Sequence, residues 1–172
     1  MSLEIIMGGM FSGKSTELIR RVRRHVVIGD RVLVVNSNRD TRSHESVVRT
    51  HDAQVATCEK VARLSDLEYE VYDVIAVDEA QFFTGLREFV EGALRLGRHV
   101  ILAGLDGDFQ QRPFGELFSV LPMADSVLKL CALCMGCRDG TPGPFTKRCV
   151  ESTAQELVGG SESYKAVCRK CL

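Results

Sequence analysis

Gly8-Gly9-Met10-Phe11-Ser12-Gly13-Lys14-Ser15 is the stretch on which the fold of this chain turns. It fits the pattern GxxxxGK[ST], with an apolar run before it (Leu3, Ile5, Ile6) and a helical pattern after it. Glycines let the backbone fold closely around a polyphosphate, so that successive N–H groups point inward. Lys14 then reaches the terminal phosphates, Ser15 offers a ligand to Mg²⁺, and the following helix adds its positive dipole end. A glycine-rich turn of chance spacing would lack the strand before, the helix after, or one of the fixed positions. The stretch implies a nucleoside triphosphate site.

Composition sets the frame around it. A chain of 172 residues holds one well-filled core, or one domain with a small appendage. A hydrophobic fraction of 45% beside 26% charged residues is that of an ordinary globular protein. The net charge of -1 speaks against a surface built for polyanions, so no nucleic-acid partner is expected. With neither a long apolar window nor a basic-then-apolar leader, neither a membrane span nor a signal peptide is expected. The seven cysteines are then expected in a reducing cytoplasm, where paired spacings favour metal over disulfide.

Downstream of the loop, Leu18, Ile19, Val22 and Val26 recur at helical steps, which predicts a helix from Lys14 to about Ile28. Arg20, Arg21, Arg23 and Arg24 occupy its other side, either as a solvated face or as a positive field around the nucleotide. Arg31 to Asn36 reads as a central parallel strand. Ser37 to Thr50 reads as a polar loop, either solvated or ordered by a ligand through Asp40 and Arg42. Gln54 to Cys58 reads as a strand and Ala62 to Leu67 as a short helix. Val71 to Val77 is an apolar strand that closes on Asp78-Glu79-Ala80-Gln81. Asp-Glu after a strand is also a common helix N-terminal pair. Behind a phosphate loop, Asp78 is placed to serve Mg²⁺ and Glu79 to take a proton from a bound hydroxyl.

Phe82 to Leu96 reads as a helix with a stripe of Phe83, Leu86, Phe89, Val90, Ala93 and Leu94, closed by Gly97. A strand follows from Arg98 to Leu105. The polar loop after it carries Phe109 and Phe114, either as staples onto the core or as a stacking surface for a planar base. Leu117 to Leu121 and Ser126 to Leu130 close the main unit.

The character of the chain changes at Cys131. Cys131, Cys134 and Cys137 form two overlapping CxxC pairs, and Cys168 and Cys171 form another. Two CxxC pairs suit a structural four-thiolate Zn²⁺ site, and spacing alone does not choose between Cys131 and Cys137 as partner of Cys134. Cys58 and Cys149 read as ordinary thiols. The segment between the pairs holds Phe145-Thr146-Lys147-Arg148, Gly159-Gly160 and Tyr164, and reads either as a lid pinned at its base by zinc or as a plain surface loop.

Taken together, GGMFSGKS, DTR at 40–42, THD at 50–52, DEAQFF, LDGDFQQRPFG, CMGC, FTKR, GGSESY and VCRKC closely resemble the thymidine kinases of the cellular cytosolic, bacterial and poxviral type. The resemblance runs over essentially the whole chain. It implies an α/β fold, a phosphate-loop parallel sheet flanked by helices, with a small C-terminal zinc-binding lasso subdomain. The expected division is 1–130 for the ATP-binding kinase domain and 131–172 for the lasso. The implied reaction moves the γ-phosphate of ATP to the 5′-hydroxyl of thymidine.

By the same resemblance, Gly8, Gly9, Met10, Phe11, Ser12, Gly13, Lys14 and Ser15 hold ATP, with Asp40 and Arg42 near the phosphates. Asp78 serves Mg²⁺, Gln81 closes the DEAQ motif, and Glu79 is the catalytic base. Met10, Phe82, Leu105, Phe109 and Tyr164 line the nucleoside pocket, and the backbone of Gln155, Glu156, Leu157, Val158 and Gly159 reads the base. The zinc ligands are Cys134, Cys137, Cys168 and Cys171. A homo-oligomer, commonly a tetramer, in the cytoplasm (of a host, for a viral source) is implied.

Two features depart from the family pattern. Gly9 stands where proline is frequent, and the run from Asp139 to Pro144 is longer than the usual link to FTKR. The end one residue after Cys171 suggests that the regulatory tail of animal members is lacking. The competing readings are a kinase for another deoxynucleoside, and a nucleic-acid-stimulated ATPase with DEAQ as its motor motif.

Overall fold

The apolar runs of this chain are apolar at both parities, the pattern of strands covered on both faces. The computed structural model describes residues 1–40, 47–49, 55–152, 154–155 and 157–172. In order come β1 (Ser2–Gly8), α1 (Lys14–Val27), β2 (Val32–Ser37), β3 (Val47–Arg49), β4 (Val55–Thr57), β5 (Glu59–Val61), β6 (Val74–Val77), α2 (Leu86–Arg95), β7 (His99–Leu105), α3 (Leu117–Val120) and β8 (Ser126–Leu130). Six strands make one sheet in the order β5-β2-β6-β7-β1-β8, and every neighbouring pair is parallel.

Alternation divides the core into two layers. Ile6, Val34, Ala76, Ile101 and Ala103 face one way and receive Leu18, Ile19 and Val22 of α1. Ile5, Val35, Ile75, Val77 and Leu102 face the other way, under Leu86, Phe89, Val90 and Ala93 of α2 and Leu117 and Val120 of α3. Each fully covered Leu, Ile or Phe in these layers contributes about 1.5–3 kcal/mol of burial. Helices therefore lie on both faces, as the sequence pattern implies.

Several local readings change. The strand read from Val71 starts at Val74, and Val71 is 59% exposed. The α2 helix starts at Leu86, not Phe82, because Gly85 takes a left-handed conformation (φ 72°) at its N-terminus. Phe83 is buried as expected, but from an extended turn that follows a 3₁₀ turn at Ala80–Phe82. Val26, one helical step beyond the buried Val22, is 57% exposed. Finally, the polar stretch before Gln54 is not all loop: β3 pairs antiparallel with β4.

Parallel strands bring β1, β2, β6 and β7 to one edge by their C-termini, with Gly8 level with Leu105 and Val35 with Val77. Beyond β8 the ladders are small and antiparallel. β9 (Ala132–Leu133) pairs with β10 (Pro142–Gly143), and β11 (Phe145–Arg148) pairs with β12 (Tyr164–Val167). The link from Asp139 to Pro144 is thus folded into a hairpin, turned by Arg138 (φ 59°) and Gly140 (φ 90°). Among the described residues no helix is long and apolar enough to cross a membrane.

Candidate active site

At the C-terminal edge of the sheet the chain leaves β1 into the phosphate loop. Gly8 has φ 153°, and a Cβ there would run into the Leu130 carbonyl oxygen, so only glycine fits beside β8. Gly13 is left-handed (φ 85°) at the start of α1 and turns the chain into the helix. The Ser12 hydroxyl and the buried Lys14 ammonium both donate to the Gly9 carbonyl, each at 2.8 Å. Lys14 is thereby held against the loop that it serves.

The opposite wall is built at the end of β6. Asp78 donates its N–H to the Val35 carbonyl at 2.8 Å, which fixes the strand end, and its carboxylate accepts from the Glu79 N–H at 3.0 Å. Glu79 is left-handed (φ 51°), an uncommon conformation for a side chain of its size, and this turn directs it away from the strand. The Gln81 amide donates to Glu79 Oε2 at 2.5 Å and accepts from the Leu105 N–H at 3.0 Å. Asp78, Glu79 and Gln81 are all buried. Gln81 therefore bridges β7 to Glu79 and fixes where its carboxylate lies. On β2, Asn36 donates to Asp40 at 3.1 Å, and Asp40 is buried in the same wall.

These groups face one cavity of about 250 Å³. Met10 through Ser15, Asp40, Asp78, Glu79 and Gln81 line it, together with Phe82, Leu105, Phe109, Phe114 and Tyr164. Phe82 and Phe114 meet edge to face with centroids 5.8 Å apart, leaving a slot of aromatic walls beside the acidic pair. Gln155, Leu157, Val158 and Gly159 border the same cavity. Thus the sequence-assigned residues converge, with Gly8 and Gly9 shaping the loop behind the lining. Arg42 and Glu156 lie outside the described residues, as do Thr50, His51, Asp52 and Gln54.

Thr146 and Asp108 are among the lining residues to which the sequence assigns no role. Thr146 Oγ1 accepts the Met10 N–H at 3.0 Å and so ties β11 to the phosphate loop. Asp108 is buried on the loop after β7, where it accepts from the Gln155 amide at 2.9 Å and pairs with Arg112 at 3.2 Å. Burial would raise the Asp108 pKa, but the N–H of Arg112, the Gln155 amide and the N–H of Gln110 outweigh it and hold it below its ordinary value. The signal for both was present in FTKR and LDGDFQ, yet neither residue type announces a contact that distant.

Three of the arginines of α1 border a second depression. Arg20 and Arg21 bind Glu17, Arg21 also binds Glu4, and with Arg24 they border a depression next to Ser2 and His99, at the opposite end of the strands.

The cysteines form a second cluster. The sulfurs of Cys134, Cys137, Cys168 and Cys171 all lie within 4.8 Å of one another, and Cys137 Sγ is 3.6 Å from those of Cys168 and Cys171. A tetrahedral site with Zn–S bonds of about 2.3 Å spaces its sulfurs about 3.8 Å apart, so the four thiols fit zinc. The backbone N–H groups of Cys137 and Cys168 donate to Cys134 Sγ and lower its pKa to about 6, which favours the thiolate a metal needs. Cys131 lies outside the cluster, exposed, its thiol donating to the Ala132 carbonyl. Burial first of all pushes the Cys58 thiol up to about 11, the mark of an inert buried thiol.

A parallel α/β sheet, a glycine loop feeding a buried lysine and an acidic pair at the end of β6 define a nucleotide-binding protein of the phosphate-loop class. Comparison with known proteins narrows the class. The family model described as thymidine kinase matches residues 1–172, and the chain belongs to that family. The thymidine kinase of Myxoma virus (strain Uriarra) is 43% identical over 172 residues, covering 98% of this chain and 94% of its own. The cytosolic thymidine kinase of Homo sapiens is 42% identical over 98% of this chain and 72% of its own. That of Vaccinia virus (strain Western Reserve) is 40% identical over 98% and 95% respectively.

Proposed function

We propose that this enzyme transfers the γ-phosphate of ATP to the 5′-hydroxyl of thymidine, giving thymidine monophosphate, in the cleft at the C-terminal edge of the sheet. One observation carries the assignment of roles: the phosphate loop, the Asp78–Glu79 pair and the aromatic slot all border a single cavity. A planar base fits between apolar walls, and its sugar then points toward the acids.

Phosphoryl transfer needs positioning and charge stabilisation more than covalent chemistry. In this reading, the N–H groups from Gly8 to Ser15 cradle the ATP phosphates, and Lys14 offsets charge that builds on the leaving diphosphate. Buried Asp78 and the Ser15 hydroxyl are hard oxygen donors of the kind Mg²⁺ takes, and Asp40 adds to the same wall. When bound there, Mg²⁺ supplies charge neutralisation between the phosphates. Glu79, aimed by Gln81, accepts the proton of the 5′-hydroxyl late in the transfer. Met10, Phe82, Leu105, Phe109 and Tyr164 enclose the nucleoside, and backbone groups from Gln155 to Gly159 read its base.

Residues 131–172 act as a lasso whose base the four cysteines would fix around zinc. The enzyme works in the cytoplasm as a homotetramer. Val27 and Ile28, 84% and 74% exposed at the end of α1, offer apolar surface for self-association. The test of the reaction is transfer of label from γ-labelled ATP to a panel of deoxynucleosides, with single-stranded DNA as a control. Labelled thymidine monophosphate as the main product is expected. Label on a different nucleoside overturns the substrate, and DNA-stimulated phosphate release without nucleotide product overturns the reaction.

A further inference from the structure

Arg148 closes β11 and faces the cleft, yet its donors are directed at the chain itself. One terminal nitrogen donates to the carbonyl oxygens of Ser152 at 3.1 Å and Ala154 at 2.5 Å. The other donates to the Gln155 carbonyl at 3.0 Å and to the Tyr164 hydroxyl at 2.8 Å. The Tyr164 hydroxyl in turn donates to the Leu157 carbonyl at 2.7 Å. The guanidinium plane lies over the Phe109 ring, 3.8 Å from its centroid, so the loop after β7 is drawn into the same cluster.

Guanidinium is built for this task. Its terminal nitrogens present a fixed planar fork, and its weakly hydrated face stacks on an aromatic ring. Both terminal nitrogens are committed to main-chain carbonyls and a phenol, and Nε is buried without a hydrogen-bond partner among the described residues. An arginine that lines a nucleotide cleft ordinarily pairs with phosphate. This one is occupied on the nucleoside side, where the Gln155 side chain is also clasped by Asp108 at 2.9 Å and the Pro113 carbonyl at 3.2 Å.

We infer that Arg148 is a positioning residue for the nucleoside: its fork gathers the carbonyls of Ser152, Ala154 and Gln155, and through Tyr164 that of Leu157, over the aromatic slot. The inference rests on the proposed role of residues 155–159 in reading the base. Arg148 sets the shape of that segment before the nucleoside arrives and takes no part in neutralising phosphate charge. A lysine keeps the charge but has one nitrogen and no plane, so it cannot hold carbonyls on two sides of itself while lying on Phe109.

The experiment compares Arg148→Lys and Arg148→Gln with the wild-type enzyme, each checked for equal zinc content. Both variants are expected to raise the thymidine KM about tenfold or more while the ATP KM stays within about twofold. Amide hydrogen exchange across 150–163, measured without ligands, is expected to speed up at least about tenfold in both, with β1 and β7 unchanged. Rescue of the thymidine KM by lysine, a rise confined to the ATP KM, or unaltered exchange across 150–163 overturns the inference. If the wild-type enzyme gives thymidine no phosphate, the substrate reading fails while the exchange comparison still decides the role of Arg148.

Discussion

The backbone of Gly9 lies directly beneath Pro144: a Cβ built on Gly9 would sit 3.2 Å from the Pro144 carbonyl oxygen and 3.2 Å from the Thr146 hydroxyl. Gly9 of the phosphate loop and the link from Asp139 to Pro144 thus meet in space. The link folds into the β9–β10 hairpin, whose Gly143 backbone packs on Cys134 and whose next residue rests on the loop. The cysteine cluster and the phosphate loop are therefore two contacts apart.

From that contact, Gly9→Ala is expected to crowd the strap and lengthen the bond from the Met10 N–H to Thr146. Overpacking of this kind costs about 1 kcal/mol or somewhat more, read as a lower denaturation midpoint. The ATP KM is expected to rise with it, because the strained segment is the phosphate cradle itself. A variant with wild-type midpoint and wild-type ATP KM would show that the strap gives way freely.

Glu79 and Gln81 carry the second prediction. Glu79→Gln keeps the size of the side chain and an oxygen that can accept from the Gln81 amide, but removes the basic carboxylate. Turnover of thymidine is expected to fall about 10²- to 10³-fold, the range for loss of a general base, with ATP affinity within about twofold. Equilibrium binding of ATP and steady-state kinetics together check this. Retained turnover would move the role of base away from Glu79.

How far the sequence could be read follows from what each element depends on. The phosphate loop is legible because Gly8 and Gly13 meet local backbone requirements, a close carbonyl at one and a left-handed turn at the other. The buried strands are legible because burial on both faces leaves apolar runs such as Val32 to Val35 and Val100 to Ala103. The start of α2 is not legible because Phe83 continues the apolar stripe although Gly85 resets the backbone after it. The role of Arg148 is not legible because most of its partners are main-chain oxygens, which leave no mark on residue type. Local geometry and burial are written in the sequence; contacts to distant carbonyls are not.

Zinc removal supplies the third prediction. The cysteine cluster packs mainly against itself, with Val167, Phe145 and Leu172 around it, and does not share the two layers of the main core. Chelation is expected to loosen residues 131–172 and raise the thymidine KM while the far-ultraviolet dichroism of the main sheet persists. Following kinetics and dichroism along one chelator titration separates the events. Simultaneous loss of both signals would join the two units in one cooperative transition.

His99, at the start of β7, makes stability depend on pH. Its Nδ1 is within hydrogen-bond distance of the Ser2 hydroxyl, its Nε2 is 3.7 Å from Glu4, and its ring centroid is 4.8 Å from that of His25. Burial is the main cause that holds its pKa below the ordinary 6.5; Glu4 and Asp30 pull upward, while His25 and the N-terminal amine push further down. The unfolded chain, with the ordinary value, therefore takes up a proton first as the pH falls. The contribution of His99 to stability is complete above the unfolded pKa of about 6.5 and is lost as the pH falls from there through the lower folded value. Denaturant midpoints are expected to drop as the pH falls below the unfolded value of about 6.5, and His99→Gln is expected to flatten that slope. Parallel profiles for the two proteins would place the titrating group elsewhere. Because His99 lies at the opposite end of β7 from Leu105 and the cleft, the kinetic constants at neutral pH are expected to change little in the same variant.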